Sequence, residues 1–421
     1  MMRRIPLPLL LPFLGPLAIL APSCGGGEGE GAATSPEPLS DEDRGEDDVQ
    51  SRIDELRAMG YAGYADADVD PEAEPVTIFD RERSAKGYNL ISNRNLTTAQ
   101  LLDPFGGIVR EWKDEDSGHW SNVELTEDGE LLIPGTESSE GDELREHYLM
   151  KLSWEGDVVW RVPVAAHHDV EVTPAGRVAC LTFIFRPIPE VHPEYDVRDN
   201  GIAVLTQDGE LVEEYSIYGM LAAGPDVFSF QHVERIEKAK KRFFDLLHSN
   251  SVEFLRHEHL VGKDPIYAPQ NVLVSIRHQD TIAIFDTEAR KVVWAWGQGE
   301  ISGPHDATML ANGNVLLYDS GLGRDWTRVV ELDPLTRTIV WEYRAPEPAD
   351  FYSESMGSNQ RLPNGNTLIA SSNDGEAFEV TPEGEIVWHF TNFNAGKKGK
   401  RATIVRIRRY PLDFVHPLLE R

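Results

Sequence analysis

Short segments of alternating apolar and polar residues, most closed by a glycine-bearing turn, fill the chain from about residue 75 to residue 421. Alternation with period two puts successive side chains on opposite faces of a strand. The clearest segments end in tryptophan: Gly107-Ile108-Val109-Arg110-Glu111-Trp112, Gly156-Asp157-Val158-Val159-Trp160, Arg290-Lys291-Val292-Val293-Trp294, Arg337-Thr338-Ile339-Val340-Trp341 and Gly384-Glu385-Ile386-Val387-Trp388. Trp160 follows Trp112 by 48 residues, and Trp341 and Trp388 each follow the preceding tryptophan by 47. The 134-residue step from Trp160 to Trp294 has room for a weaker copy, and Asp208-Gly209-Glu210-Leu211-Val212-Glu213-Glu214-Tyr215 supplies it with tyrosine in place of tryptophan. A period near 47 built of short strands and turns is the signature of four-stranded propeller blades. The six copies predict an all-β chain folded as a six-bladed β-propeller.

Each of these strands is followed by a further strand and turn, as in His119 to Gly129, His168 to Gly176, His305 to Gly313 and Ser358 to Gly365. Asn312-Gly313 and Asn364-Gly365 are hairpin signals, since both residue types tolerate positive φ. The first copy, Tyr88 to Ser92, Thr98 to Leu102 and Ile108 to Trp112, lacks an inner strand. The alternating run Ala402-Thr403-Ile404-Val405-Arg406-Ile407-Arg408 is the expected missing strand, which would close the ring and remove its edges.

Residues 1–24 read differently. Arg3 and Arg4 precede a proline-broken apolar run, Leu7 to Leu20, too short and interrupted for a membrane span, which is the plan of an export signal. It ends in Ala21-Pro22-Ser23-Cys24-Gly25, which resembles the lipobox of bacterial lipoproteins, although that pattern prefers Leu where Ala21 stands and a residue other than Pro at 22. The resemblance implies lipidation at Cys24 and a periplasmic or cell-surface location, with plain secretion and then a cytoplasmic location as the alternatives. Residues 25–74 are an acidic linker, a solvated and disordered tether with a short helix expected where Val49, Ile53 and Leu56 recur before Gly60.

Composition narrows the partners. Lys and Arg number 40 against 71 Asp and Glu, a formal charge of -31, which argues against nucleic acid and requires any anionic substrate to find a local basic site. Cys24 and Cys180 stand in such different contexts that no disulfide between them is expected, so the core alone must hold the fold.

Inner strands of a propeller start around a central channel, and here the starts carry histidine: His119, His168, His248 and His305, then Ser358-Asn359-Gln360. Strand alternation places His248 with Asn250, and Ser275 with Arg277, while Val272, Val274 and Ile276 form a packed face. An arginine beside two histidines and an amide suits an oxyanion such as sulfate or phosphate. Asp169 and Asp306 are expected to accept backbone N–H bonds where blades meet rather than to join a triad. His119 reads as a satisfied strand-end residue, and His257 and His259 as a solvated loop. No metal or cofactor is expected, because the in-phase positions lack the anionic partners of a catalytic zinc site.

The succession His167-His168-Asp169, Asp245-Leu246-Leu247-His248-Ser249-Asn250-Ser251, Ser275-Ile276-Arg277-His278 and Gly303-Pro304-His305-Asp306-Ala307 resembles the bacterial arylsulfotransferases that do not use the nucleotide sulfate donor, over about residues 85 to 412. That family's fold is a six-bladed propeller. The resemblance implies ping-pong transfer of a sulfuryl group from an aryl sulfate to a phenol. In it His305 would be the nucleophile, His248, Asn250 and Arg277 would hold sulfuryl oxygens, His168 would serve the bridging oxygen, and His167 and Ser275 would contribute to substrate binding. The family usually has Gln where Pro304 stands, which bears on substrate range. The insertion Arg235 to Phe243 is a basic lid or a solvated helix. Two other readings stand beside this one: a membrane-tethered ligand-binding propeller without catalysis, and a quinoprotein dehydrogenase suggested by the repeat around Phe285 to Trp294.

Overall fold

The computed structural model describes residues 64–93, 96–137, 146–231, 243–396 and 399–421. The export signal with Cys24, the acidic tether, the helix expected before Gly60 and the basic run Arg235 to Arg242 lie outside the described residues. Strand makes up 47% and helix 8%, so the chain is all-β.

The described strands form six sheets of four or five strands and one two-stranded ribbon. The first sheet runs Ile404–Tyr410, Tyr88–Asn93, Thr98–Leu102, Ile108–Lys113. The second runs Ser117–Trp120, Leu131–Glu137, His147–Leu152, Val158–Val162, and the third Val170–Val172, Val178–Arg186, Asp196–Leu205, Leu211–Ser216. The fourth runs Ser249–Phe254, Asn271–Ile276, Thr281–Asp286, Lys291–Trp296, and the fifth Pro304–Met309, Val315–Asp319, Arg328–Asp333, Thr338–Tyr343. The sixth runs Ser358–Arg361, Thr367–Ser371, Glu376–Val380, Ile386–Thr391, with Val76–Phe79 added outside. In the first sheet the C-terminal strand pairs antiparallel with Tyr88–Asn93, from Ile404 against Asn93 to Tyr410 against Tyr88. Tyr64–Asp68 pairs with Lys400–Ala402 inside the stretch read as linker, because Ala65 is buried and Gly396 leaves the room that the Tyr64 ring fills.

Alternation along each strand serves two interfaces. Val272, Val274 and Ile276 pack with Leu181, Ile202 and Val204 of the third sheet, while Leu273 packs with Leu317 and Val330 of the fifth. The recurring tryptophans lie on the outermost meander strands, and each indole Nε1–H donates to a carbonyl in a turn of the next sheet. Trp112 bonds Ser153, Trp160 bonds Gln207, Trp294 bonds Pro334, Trp341 bonds Pro382, and Trp388 bonds Pro104 of the first sheet, at 2.8 to 3.2 Å. The tyrosine copy differs: the Tyr215 hydroxyl turns back to Glu213.

The Asn-Gly turns also differ from expectation. Only Gly313 and Gly365 take positive φ, +94° and +90°, and the loop closes with Gly313 N–H on the Leu310 carbonyl and Leu310 N–H on Asn314. That is a three-residue loop with glycine at its left-handed position rather than a two-residue primed turn. Asn312 instead uses its side-chain Oδ1 to accept the N–H of Asn314.

At the strand starts, carboxylates stitch neighbouring sheets as expected. Asp169 accepts the N–H of Val252 and Asp306 that of Asn359, at 3.0 and 2.7 Å. Glu171 and Glu253 do the same for Phe254 and Met309. From the C-terminal strand, Arg406 reaches Asp169 at 2.8 Å and Glu124 at 3.1 Å, and Arg408 reaches Asp306 at 2.6 Å. One strand thus contacts the second, third and fifth sheets.

Candidate active site

The local backbone is unusual where the candidate residues sit. His168, His248 and Asp306 have φ of +57°, +49° and +47°. A non-glycine residue in that region costs on the order of 1–2 kcal/mol, and here the kinks turn the chain just before Val170–Val172 and Ser249–Phe254 and within Pro304–Met309.

These kinks change the expected pairing of side chains. The strand that carries Asn250 begins at Ser249, and its register slips between Ser249 and Ser251, so His248 is on the preceding kink and strand alternation does not govern it. Its ring centroid lies 4.6 Å from that of His278 and 5.1 Å from that of His168. Asn250 donates to the Pro304 carbonyl at 3.0 Å, which sets it beside His305. Arg277 does not continue the strand of Ser275: it opens the short 3-10 turn Arg277–Gln279. Its Nη1 meets His278 Nε2 at 3.1 Å, and its Nη2 donates to the Glu354 carbonyl at 3.3 Å.

His305, Arg277, His248, Asn250 and His168 therefore converge, whereas Ser275 and His167 are drawn elsewhere. The Ser275 Oγ bonds Ser251 Oγ at 2.7 Å and accepts the Ala307 N–H at 3.2 Å, holding the fourth and fifth sheets together away from Arg277. His167 Nε2 faces the Thr182 carbonyl at 3.0 Å in a buried setting, although its ring lies 4.8 Å from that of His168. His119 meets Thr136 Oγ1 at 2.8 Å, a satisfied strand residue. His259 is exposed and bonds the Ala311 carbonyl, while His257 is half-buried.

His305 is buried between two carbonyls. Nδ1 lies 2.9 Å from the Gly303 oxygen and 3.2 Å from Ser320 Oγ, and Nε2 lies 3.0 Å from the Ser355 oxygen. Burial, and then the Arg277 charge, push its imidazole down to about 3, so it is neutral at pH 7 and holds a lone pair. Burial likewise keeps His167 and His248 well below the ordinary histidine range.

Sequence reasoning assigned no role to Asp245, His278, Arg198 or the Glu354 and Ser355 carbonyls. Asp245, three residues before His248, was legible only as a neighbour of the motif, and the carbonyls carry no side-chain signal. Asp245, His248 and His278 each place a ligand atom within 4.8 Å of the others, a spacing a metal ion could use. The guanidinium groups of Arg198 and Arg277 stand against the same atoms, however, and favour an anion.

A family model described as arylsulfotransferase (ASST) matches residues 146–393, which is 248 of the 421 residues. The chain belongs to the arylsulfotransferase family. No curated protein matches it. Among solved structures, a protein of unknown function from Bacteroides caccae is 14% identical with a TM-score of 0.50, covering 77% of this chain and 98% of its own. A streptogramin B lyase is 12% identical with a TM-score of 0.43, covering 83% and 96%. The Dos1 propeller is 9% identical with a TM-score of 0.37, covering 78% and 79%. No helix among the described residues is long and apolar enough to cross a membrane.

Proposed function

We propose that the protein is an aryl-sulfate sulfotransferase that moves a sulfuryl group from a phenolic sulfate ester to a phenol through a sulfohistidine at His305. Family membership supports the general activity, and the observation that carries the specific reading is the convergence of neutral, buried His305 with Arg277, His248 and Asn250. The six sheets are the blades of a propeller, with Ile404–Tyr410 closing the ring and the site at the starts of the inner strands. An N-terminal lipid anchor at Cys24 would hold the domain outside the cytoplasm.

In the first half-reaction the Nε2 lone pair of His305 attacks sulfur, the S–N bond forms, and the S–O bond to the phenol breaks. The sulfated ring then carries positive charge, which the Gly303 carbonyl stabilises by accepting Nδ1–H. His168, starting as an imidazolium, donates its proton to the leaving phenolate and is left neutral, then takes one from the incoming phenol as its oxygen attacks sulfur and the S–N electron pair returns to His305. Arg277, with two parallel N–H groups, and Asn250 hold sulfuryl oxygens as charge develops. The carbonyls of Glu354 and Ser355 stand on Arg277 and on His305 Nε2, and the donor displaces both.

That same occupancy favours a second reading, a ligand-binding propeller in which His305 stays hydrogen-bonded. Full-length protein and its His305→Ala variant, assayed with 4-nitrophenyl sulfate and a phenol acceptor, separate the two. Acceptor-dependent nitrophenolate release that vanishes in the variant, with a sulfuryl adduct on intact mass, supports transfer. No release across a broad acceptor panel from folded protein rejects it.

A further inference from the structure

Asp245 is buried at the centre of the site, and the reaction above gives it no task. Its Oδ2 is 2.7 Å from His248 Nδ1, and its Oδ1 accepts the backbone N–H of His248 at 3.1 Å. Its main-chain oxygen lies 2.7 Å from His278 Nδ1, which leaves His278 Nε2 to accept from Arg277. Arg198 Nη1 lies 3.4 Å from Oδ2. Burial alone would raise this carboxyl, but His248, Arg198 and His278 overcome it and hold it well below the usual carboxylate range.

A carboxylate against Nδ1 fixes the tautomer of His248: Nδ1 carries the proton and Nε2 is a lone pair. In that state His248 repels a sulfuryl oxygen. It can donate to one only as an imidazolium, and the charges facing it set that balance. Arg277 and His278 on the following turn, His168 and His167 in the loop that precedes the strand Val170–Val172, and burial all oppose a second proton. Asp245 favours it, and so does an arriving anion.

Resting on the sulfotransfer reading, we propose that Asp245 is a positioning residue that lets His248 take up one proton from solvent as a sulfate ester binds, so that Nε2–H donates to a sulfuryl oxygen. One N–H bond forms, no bond of the substrate changes, and the proton returns to water when the sulfated product leaves. Donor binding is therefore linked to proton uptake before any chemistry begins.

The test is calorimetric titration of 4-nitrophenyl sulfate into the full chain carrying His305→Ala, at pH 7.5, in two buffers of different ionisation enthalpy. About one proton is expected to be taken up per ester bound, because only His248 changes state. With Asp245→Asn added, binding weakens roughly tenfold or more and uptake disappears, since one pKa unit is a factor of ten. His248→Gln keeps an N–H donor and leaves the Asp245–Arg198 pair intact, so it reports even if Asp245→Asn does not fold; it is expected to bind without uptake. No uptake in the parent, or uptake that survives in a folded variant, overturns the proposal. A parent that binds no ester, together with wild-type protein inactive in the transfer assay, rejects the sulfotransfer reading as well.

Discussion

At the scale of single residues, the site's chemistry follows from burying imidazoles beside guanidinium groups. An unfolded histidine takes a proton near pH 6.5, whereas His305 does so only near about 3, and His167 and His248 are also held well below the ordinary value. Stability rises with pH wherever the unfolded chain binds more protons than the native one. The contribution of these three groups is thus fully present above about pH 6.5 and is lost as pH falls below it, for His305 toward its folded value of about 3. The unfolding temperature is expected to drop between pH 7 and pH 4, and His305→Asn to flatten that slope; equal slopes would mean that His305 does not stay neutral. Arg277→Lys keeps the charge but loses the planar fork, so kcat/KM for the aryl sulfate is expected to fall roughly 10- to 100-fold, in line with about 1.4–2.7 kcal/mol of transition-state stabilisation. The histidines and Arg277 were legible in the sequence because they head repeated segments. Their geometry was not, because the left-handed kinks at His168 and His248 move them off the strand alternation that predicted which side chains share a face.

Strands and turns were the most legible level, and tryptophan explains why. Its 47-residue recurrence marks a structural role: the indole N–H of one sheet's outer strand donates to a turn of the next. The spacing was readable, but the acceptor was not, since a carbonyl some forty residues further on leaves no side-chain trace. Trp388 is buried and bonds the Pro104 carbonyl at 3.0 Å. Trp388→Phe is expected to cost about 1–2 kcal/mol from the lost hydrogen bond and the unpaired carbonyl, lowering the melting temperature by a few degrees in calorimetry. Trp341→Phe, at a more exposed tie to Pro382, is expected to cost less. The segment from Phe351 to Met356 was invisible in the sequence for a related reason, since it acts on Arg277 and His305 through main-chain oxygens. Asn373 anchors it by accepting from Ser353 and Ser355. If those carbonyls compete with the donor, Asn373→Ala is expected to lower KM for the aryl sulfate while also lowering thermal stability. A raised KM at normal stability would show that the segment helps to bind the donor instead.

For the whole molecule, the longest-range expectation was that a strand near the C-terminus completes the first sheet. Ile404–Tyr410 does pair with Tyr88–Asn93, some three hundred residues earlier. The same strand also neutralises carboxylates at the centre: Arg406 serves Asp169 and Glu124, and Arg408 serves Asp306. Asp169 is buried, and burial raises its carboxyl despite Arg406. Removing a buried partner of this kind costs about 3–5 kcal/mol because an uncompensated charge is left behind, and the open edge of Tyr88–Asn93 would add a template for aggregation. Truncation after Thr403 is therefore expected to give no cooperative thermal transition and to elute as aggregate on size exclusion. Truncation after Tyr410 removes only the helix Leu412–Leu419, which buries Val415 and Leu418 against Trp112 and Trp154. Two such apolar side chains are worth on the order of 3–6 kcal/mol, so this shorter deletion is expected to fold with a lower melting temperature. A protein ending at Thr403 that stays monomeric and melts cooperatively would show that the remaining sheets hold together without the C-terminal strand and that the central carboxylates do not require Arg406 and Arg408.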